Sequence, residues 1–425
     1  FLERLAEHTP RLKSAQRSAA LREIDSEIND IQAAWEWACA QADIPLLARS
    51  LEGLCLYYEI RVRYHEGVRA CQEALAIQYC VAEQEAGSGS LHACLLLWWE
   101  HFLVLLGQLK AARQLRQQTA ELLEQLEAQL IDVRQLRAML WHAEGDAQSD
   151  LKVKIECYQR GIALYRELGD DWRLAAMLRW AGELVHRLGD AELCLQYQKE
   201  ALCLFKQVGE PNGILSTMID ITYTYFILNQ LDTARQFMQE TSKLAESMEE
   251  LPARANAQLH LGALLGWSGR FPESIDMLER ALPLLRSLGY RYGTVYGSVA
   301  LGIICVMNGE YARGETLLQA NLSEAAQGGF PREAASTLLG LGMAALAQGR
   351  VAQALENFQD GIQRYRQMQF KAELGCALGG LALALETDRQ SKTAQATLVE
   401  ALQIAEQTRN MFTMFTCFAA MVGLL

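Results

Sequence analysis

The side chains best able to do chemistry in this 425-residue chain are its seven histidines and eleven cysteines. No two histidines have the H-E-x-x-H spacing of a zinc protease, and no two cysteines are three positions apart, as in zinc or redox motifs. The chain also lacks the G-x-x-x-x-G-K-[ST] phosphate loop and the G-x-S-x-G elbow of a hydrolase. We therefore predict no catalytic site, metal or cofactor here, and free thiols in a reducing cytoplasm.

A more informative set of polar side chains lies between residues 179 and 186. Arg179, Glu183 and His186 recur at helical spacing, so they share one face of a helix. Such a face could orient a polar ligand. It could equally be a solvated face that carries an internal ion pair.

The helix that carries this face belongs to a regular repeat. Each repeat contains two turn positions about 20 residues apart, so each is a pair of helices of similar length joined by tight turns. The first set of turn positions, spaced by 40 residues, is Gly189, Asn229, Gly269, Gly309, Gly349 and Arg389. The second set is Gly209, Glu249, Gly289, Gly329, Gln369 and Arg409.

Three consecutive repeats superimpose without gaps and share small residues at fixed places. A Leu-Gly pair ends at Gly262, Gly302 and Gly342, and a small residue follows twelve positions later. This pattern resembles the tetratricopeptide repeat, lengthened from its usual ~34 residues. The resemblance implies an all-α fold: a right-handed superhelix, or α-solenoid, of about nine helix pairs over residues 45–425. We expect the helix from Met411 to Leu425 to cap it.

The resemblance also implies a binding surface, because the first helices of such arrays line a concave groove. Aromatic walls with a few polar groups are typical of a ligand groove. The alternative is that these aromatic side chains only pack between neighbouring repeats. The candidate ligand-binding residues are Arg179, Glu183, His186, Tyr223, Phe226, Asn256, Trp267 and Tyr296.

Charge and hydropathy narrow the range of partners. The net charge of −12 and the lack of a basic run argue against direct nucleic-acid binding, which needs clustered lysine and arginine. No apolar stretch reaches the roughly 18–20 residues of a membrane span. We expect neither nucleic acid nor membrane as a direct partner.

The segment before the repeats carries a second resemblance. LREIDSEINDIQAAWEWACAQADI, residues 21–44, looks like the segment that introduces the superhelical sensor of bacterial STAND signal-transduction ATPases, the group that includes MalT-type regulators. Asn29 and Trp37 match that pattern, and Trp35 lies beside it. The resemblance implies that residues 1–44 form a helical arm joined to nucleotide-binding and winged-helix domains. Because the chain begins with Phe1, we expect a fragment or a processed product.

Two residues of this arm pose a packing question. Trp35 and Trp37 point about 200° apart on a helix, so they cannot lie on one face. We expect Trp37 to pack on the first repeat pair near Leu51 and Leu54, and Trp35 to face the arm or a preceding domain. Asn29, Trp35 and Trp37 are therefore candidate interdomain residues.

Three functional hypotheses follow. The leading one is a sensor that binds an inducer, whether small molecule, peptide or protein, in its concave groove and relieves autoinhibition of an ATPase module. The second is a constitutive scaffold for a partner protein or peptide, since such folds have no fixed partner. The third, an enzyme without a recognisable motif, has the least support.

Overall fold

The chain is all-α in a computed structural model, which describes residues 1–81, 87–148, 150–248, 251–408, 413–414, 417 and 421. Of the residues in these ranges 86% are helical, and none is in a strand. The helices of the described residues are α1 (Leu2–Leu12), α2 (Arg17–Ala40), α3 (Ile44–Ile60), α4 (Tyr64–Val81), α5 (Ser88–Leu105), α6 (Leu109–Ala128), α7 (Arg134–Asp146), α8 (Leu151–Leu168), α9 (Asp171–Arg187), α10 (Ala191–Val208), α11 (Pro211–Ile227), α12 (Leu231–Ser247), α13 (Leu251–Trp267), α14 (Phe271–Ser287), α15 (Arg291–Met307), α16 (Tyr311–Gln327), α17 (Pro331–Ala347), α18 (Val351–Met368), α19 (Lys371–Thr387) and α20 (Ser391–Thr408).

The predicted helix pairs are confirmed: α3 to α20 make nine of them, and the architecture is a solenoid of TPR-like pairs. Most of the predicted capping helix, from Met411 to Leu425, lies outside the described residues. Among the residues that are described, no helix combines the length and apolar character needed to cross a bilayer.

The 40-residue spacing of turns is also confirmed. All six positions of the first set have a positive φ, from 56° at Asn229 to 94° at Gly189. In the second set, Gly209, Gly289, Gly329 and Gln369 do the same, while positions 249 and 409 lie outside the described residues. A left-handed residue ends a helix and reverses the chain within a few residues, and glycine adopts that conformation without strain.

The Leu-Gly sites show why the first helix of a pair needs glycine. A Cβ added to Gly302 would lie 2.6 Å from Leu318 Cγ, and one added to Gly342 would lie 2.9 Å from Phe358 Cε1. The large side chain of the second helix therefore lies directly against the glycine of the first. This explains the recurring pairing of a small residue with a large apolar one.

Contact clustering divides the chain into two compact units. Unit 1 comprises Phe1–Ala181 and Glu200–Gly213. In it α1 packs against α2 and α3, and the largest core cluster extends from α1 to α6 around Trp35, Tyr57 and Phe102.

Unit 2 comprises Gly182–Lys199 and Ile214–Leu425. Its successive pairs pack on one another from α13 to α20. Its first segment also lies against its last helix, because a Cβ added to Gly189 would be 3.0 Å from Thr408 Cα. The end of α9 reaches the start of α19 as well, where the Arg187 guanidinium lies 4.7 Å from the Phe370 ring centroid. Unit 2 therefore closes on itself across five helix pairs.

Candidate functional site

The first helices of successive pairs in unit 2 bring together six side chains, which we call the groove cluster: His186, Tyr223, Tyr292, Tyr296, Arg332 and Glu373. They lie on α9, α11, α15, α17 and α19, so every one comes from the first helix of its pair. Because these helices share one side of the solenoid, their side chains converge even though the residues are far apart in sequence.

Aromatic rings form the walls of the cluster. The His186 and Tyr223 rings lie 5.4 Å apart, and the Tyr223 and Trp267 rings 5.1 Å apart. A second row joins Tyr296 to Tyr292 at 6.2 Å, with His260 on the other side of Tyr296 at 5.1 Å. These separations are those of interacting aromatic pairs.

An ion pair lies among these rings. Arg332 Nη2 donates to Glu373 Oε1 at 2.9 Å. Desolvation alone would raise the pKa of Glu373, but the charge of Arg332 and a backbone hydrogen bond outweigh it, so this pKa lies below its usual value. Glu373 in turn outweighs desolvation at Arg332 and raises the pKa of the guanidinium. Both groups are therefore charged at neutral pH.

The same surroundings act on the neighbouring side chains. Burial raises the pKa values of Tyr223, Tyr292 and Tyr296, and Arg332 opposes the shift at each of them. Burial lowers the pKa of His186, with Glu373 opposing that shift and Arg332 adding to it. At least one charge of the ion pair thus affects the pKa of every other side chain in the groove cluster.

Solvent nevertheless reaches this cluster. The Arg332 side chain is 33% exposed and that of Glu373 26%, and the three tyrosines are half-buried. Side chains that are strongly desolvated yet accessible line a recess with protein on most sides. A recess with aromatic walls and few charged groups is the usual form of a ligand site.

The candidate residues from the sequence divide into two groups. His186, Tyr223, Trp267 and Tyr296 come together, and Glu183 lies beside them in an ion pair with Arg187. Their contact with a ligand stays a prediction.

The other three candidates are placed differently. Phe226 is buried, which favours the alternative of packing between repeats. The guanidinium of Arg179 lies over its neighbour Trp180 at 5.1 Å, and Asn256 is half-buried, with its Oδ1 atom enclosed.

Sequence reasoning missed Tyr292, Arg332 and Glu373. All three lie in the first turn of their helices, nine or ten positions before the small residue, whereas the candidates from the sequence lie further along each first helix. Tyr292 and Arg332 occupy the same repeat position, 40 residues apart, and this correspondence was the available signal.

The expected packing of the two arm tryptophans was wrong. Trp35 is 2% exposed and its Nε1 donates to the Ala70 carbonyl at 3.1 Å, whereas Trp37 is 58% exposed. The buried face of α2 passes through Ile24, Ile31 and Trp35, which places Trp37 on the opposite side. The prediction followed a family pattern instead of the helix face. Asn29 is exposed, and its interdomain role stays a prediction.

A buried set of ion pairs in unit 1 joins the arm to distant helices, and we call it the arm anchor: Lys13, Arg17, Glu52, Arg173 and Glu210. Lys13 Nζ lies 2.6 Å from Glu52 Oε1, and Arg173 pairs with the same carboxylate. Arg17 Nη1 lies 3.0 Å from Glu210 Oε1, with both side chains almost fully buried. Repeats of a solenoid usually contact only their neighbours, so these contacts are unusual.

Comparisons with known proteins bear on the fold. No family model matches the sequence, and no curated protein matches it. Among solved structures, a Rap protein complexed with Competence and Sporulation Factor is similar at a TM-score of 0.60 and 15% identity, over 82% of this chain and 97% of that one. The apo quorum sensor NprR from B. thuringiensis is similar at a TM-score of 0.53 and 14% identity, over 81% of this chain and 98% of that one.

A STAND protein with a tetratricopeptide repeat sensor, PH0952 from Pyrococcus horikoshii, also matches, at a TM-score of 0.43 and 12% identity, over 80% of this chain and 50% of that one. That likeness is too weak to support an argument. At these identities the matches of Rap and NprR show the fold alone: a helical solenoid built of TPR-like pairs.

Proposed function

We propose that this chain is a ligand-sensing region that binds an extended peptide at the groove cluster of unit 2. The observation that carries the proposal is a solvent-accessible recess where aromatic rings surround a charged ion pair. The rings continue from Tyr292 to Phe330 at 6.0 Å, so the apolar wall is elongated. An elongated wall fits an extended chain better than a compact metabolite.

Helix α9 offers a route for a signal. Its first turn carries Arg173 of the arm anchor, and its last turns carry His186 and Arg187. A ligand that changes the position of His186 acts on the same helix that holds the arm. Signalling requires that the ligand binds one arrangement of this helix better than the other.

The resemblance of residues 21–44 to the STAND segment supports the proposal that this sensor is part of a longer protein. In this proposal residues 1–44 join residues 45–425 to nucleotide-binding and winged-helix domains, and an inducer relieves autoinhibition of the ATPase. Deleting residues 171–310 from the intact protein should abolish activation, and activation that survives would refute the sensor role.

Binding itself can be measured with a built-in probe. Trp267 is the only tryptophan in unit 2 and lies 5.1 Å from Tyr223. A mixed library of N-acetylated hexapeptides should change the fluorescence of the wild-type chain in a saturable way, and Trp267→Phe should remove that change. Tyr223→Ala should weaken binding without unfolding the protein, as checked by circular dichroism.

The link to the arm needs a second readout. Bound peptide should change the rate at which trypsin cleaves the segment between α1 and α2, at Lys13 or Arg17. Saturable binding with no change in this cleavage would favour the constitutive scaffold over the sensor.

A further inference from the structure

We propose that the groove cluster recognises a carboxylate of its peptide ligand, supplied either by an aspartate or glutamate side chain or by the C-terminus. This inference rests on the proposed function and specifies the chemistry of its ligand. The carboxylate would bind to Arg332 and Arg187 and to the tyrosine hydroxyls around them.

Arg332 has hydrogen-bonding capacity to spare. A guanidinium carries five N–H donors in a planar fork. Arg332 uses Nη2 for Glu373, and no other hydrogen bond from its guanidinium occurs within the described part of the chain. With a third of the side chain exposed, its remaining donors can reach a ligand.

A second guanidinium contacts the same aromatic ring as the first. Arg187 and Arg332 both lie over the ring of Phe370, at 4.7 and 5.4 Å from its centroid. Arg187 pairs with Glu183 through Nη2 only, and its side chain is 25% exposed. Because each guanidinium is paired with only one carboxylate among the described residues, both keep unused charged N–H donors beside the same ring, and such donors favour an anion as their partner.

The tyrosine hydroxyls add neutral donors. Those of Tyr223, Tyr292 and Tyr296 have no hydrogen-bond partner in the described ranges, and burial, which raises their pKa values against the opposing charge of Arg332, keeps them protonated. A protonated hydroxyl donates to a carboxylate oxygen, and such charge-assisted bonds are stronger than neutral ones.

The carboxylates of the site are less available to a cationic ligand. Glu373 already accepts from Arg332 and from its own backbone amide, and Glu183 accepts from Arg187. The unused N–H groups of Arg332 and Arg187 are charged donors, whereas each carboxylate of the site already accepts from an arginine. A buried donor gains more from an anionic partner than from a neutral one.

The test is an affinity selection from three pooled libraries of N-acetylated hexapeptides. One position is fixed as Glu, Gln or Lys in each pool, the others are randomised, and every pool is made as free acid and as amide. If the carboxylate is a side chain, immobilised wild-type protein should enrich the Glu pool about tenfold or more over the Lys pool. If it is the C-terminus, the protein should enrich the free acids over the amides by a similar factor. Comparison of the Glu, Gln and Lys pools detects a side-chain carboxylate, and comparison of free acids with amides detects a C-terminal one.

Arg332→Gln should remove this preference. The matched control is Arg364→Gln on α18, which also removes an arginine paired with one carboxylate, Asp360, and should leave the preference intact. Because Arg332→Gln leaves Glu373 without its partner, the double variant Arg332→Gln/Glu373→Gln tests the same loss without an unpaired charge.

The outcomes separate the two proposals. Enrichment of the Lys or Gln pool that depends on Tyr223 would overturn the carboxylate inference and keep the peptide sensor. An acidic preference that persists in both Arg332 variants would overturn the inference as well. No enrichment of any pool over the Tyr223→Ala protein would overturn the proposed function itself.

Discussion

Two tryptophans separated by one glutamate have opposite environments in α2. Trp35 is enclosed and hydrogen-bonded to Ala70, whereas more than half of Trp37 is in contact with solvent. The two environments differ because residues two positions apart point about 200° away from each other on a helix. Of the two tryptophans, only Trp37 therefore presents its side chain to solvent, as the exposed Asn29 does.

The two tryptophans should differ sharply on truncation. Trp35→Ala should lower the free energy of unfolding by about 3–5 kcal/mol, because it leaves a large cavity and removes the hydrogen bond to the Ala70 carbonyl. Trp37→Ala should change it by less than about 0.5 kcal/mol. Urea unfolding followed by circular dichroism measures both, and equal losses would contradict the structure.

His186 predicts a pH dependence of stability. Its pKa in the folded protein is lowered, chiefly by desolvation, with Glu373, Arg332, Glu183 and Arg187 modulating the shift. As the pH falls below 6.5, the unfolded chain takes up a proton that the folded chain resists, so the stability falls.

The measurement compares melting temperatures at pH 7.5 and 5.5. His186→Gln should show a smaller drop on acidification than the wild type. The drop should not vanish, because burial also lowers the pKa values of His92 and His142. The exposed His65→Gln serves as the control, and an identical drop in both variants would argue against the buried position of His186.

At the scale of the helices, the turns explain most of what the sequence could predict. A left-handed turn residue is a local requirement, and glycine at regular intervals reveals it without knowledge of the fold. Three of the described turn positions hold other residues, Asn229, Gln369 and Arg389, and they still have positive φ values of 56°, 59° and 61°. The repeat frame located them where composition alone would not.

These three turns should carry removable strain. Arg389→Gly should raise the free energy of unfolding by about 0.5–1 kcal/mol, since a side chain in the left-handed region is disfavoured. Asn229→Gly should gain less, because asparagine tolerates that region better. Differential scanning calorimetry of the two variants tests the order, and a greater gain at Asn229 would contradict this account.

Only half of the groove cluster could be predicted from the sequence. His186, Tyr223 and Tyr296 follow from which face of a first helix points inward, which is a matter of periodicity. Arg332 and Glu373 lie in the first turns of their helices, where the inward face depends on how neighbouring pairs are rotated. That rotation is set by packing between repeats and is not encoded in the period.

At the scale of whole units, the arm anchor had no local signal at all. Arg173 and Glu52 are 121 residues apart in sequence and belong to different helix pairs. A repeat pattern predicts contacts between neighbours, and nothing in it indicates that the arm crosses to α9. Only the three-dimensional structure brings these charges together.

The arm anchor should be sensitive to loss of its shared carboxylate. Glu52→Gln leaves the largely buried Lys13 without its charged partner and Arg173 with Asp170 alone, and should cost about 2–4 kcal/mol. Trypsin should also cleave faster between α1 and α2. Glu127→Gln, which breaks the more exposed pair with Arg137, is the control and should change neither quantity.

The contact between Gly189 and Thr408 has a consequence for how this protein can evolve. An open solenoid can gain or lose a repeat, because each added pair merely displaces a free end. In unit 2 the segment that holds Gly189 meets the end of α20, and five pairs occupy the interval between them. Duplication or deletion of one pair would separate these two ends, so the repeat number of unit 2 is fixed by closure.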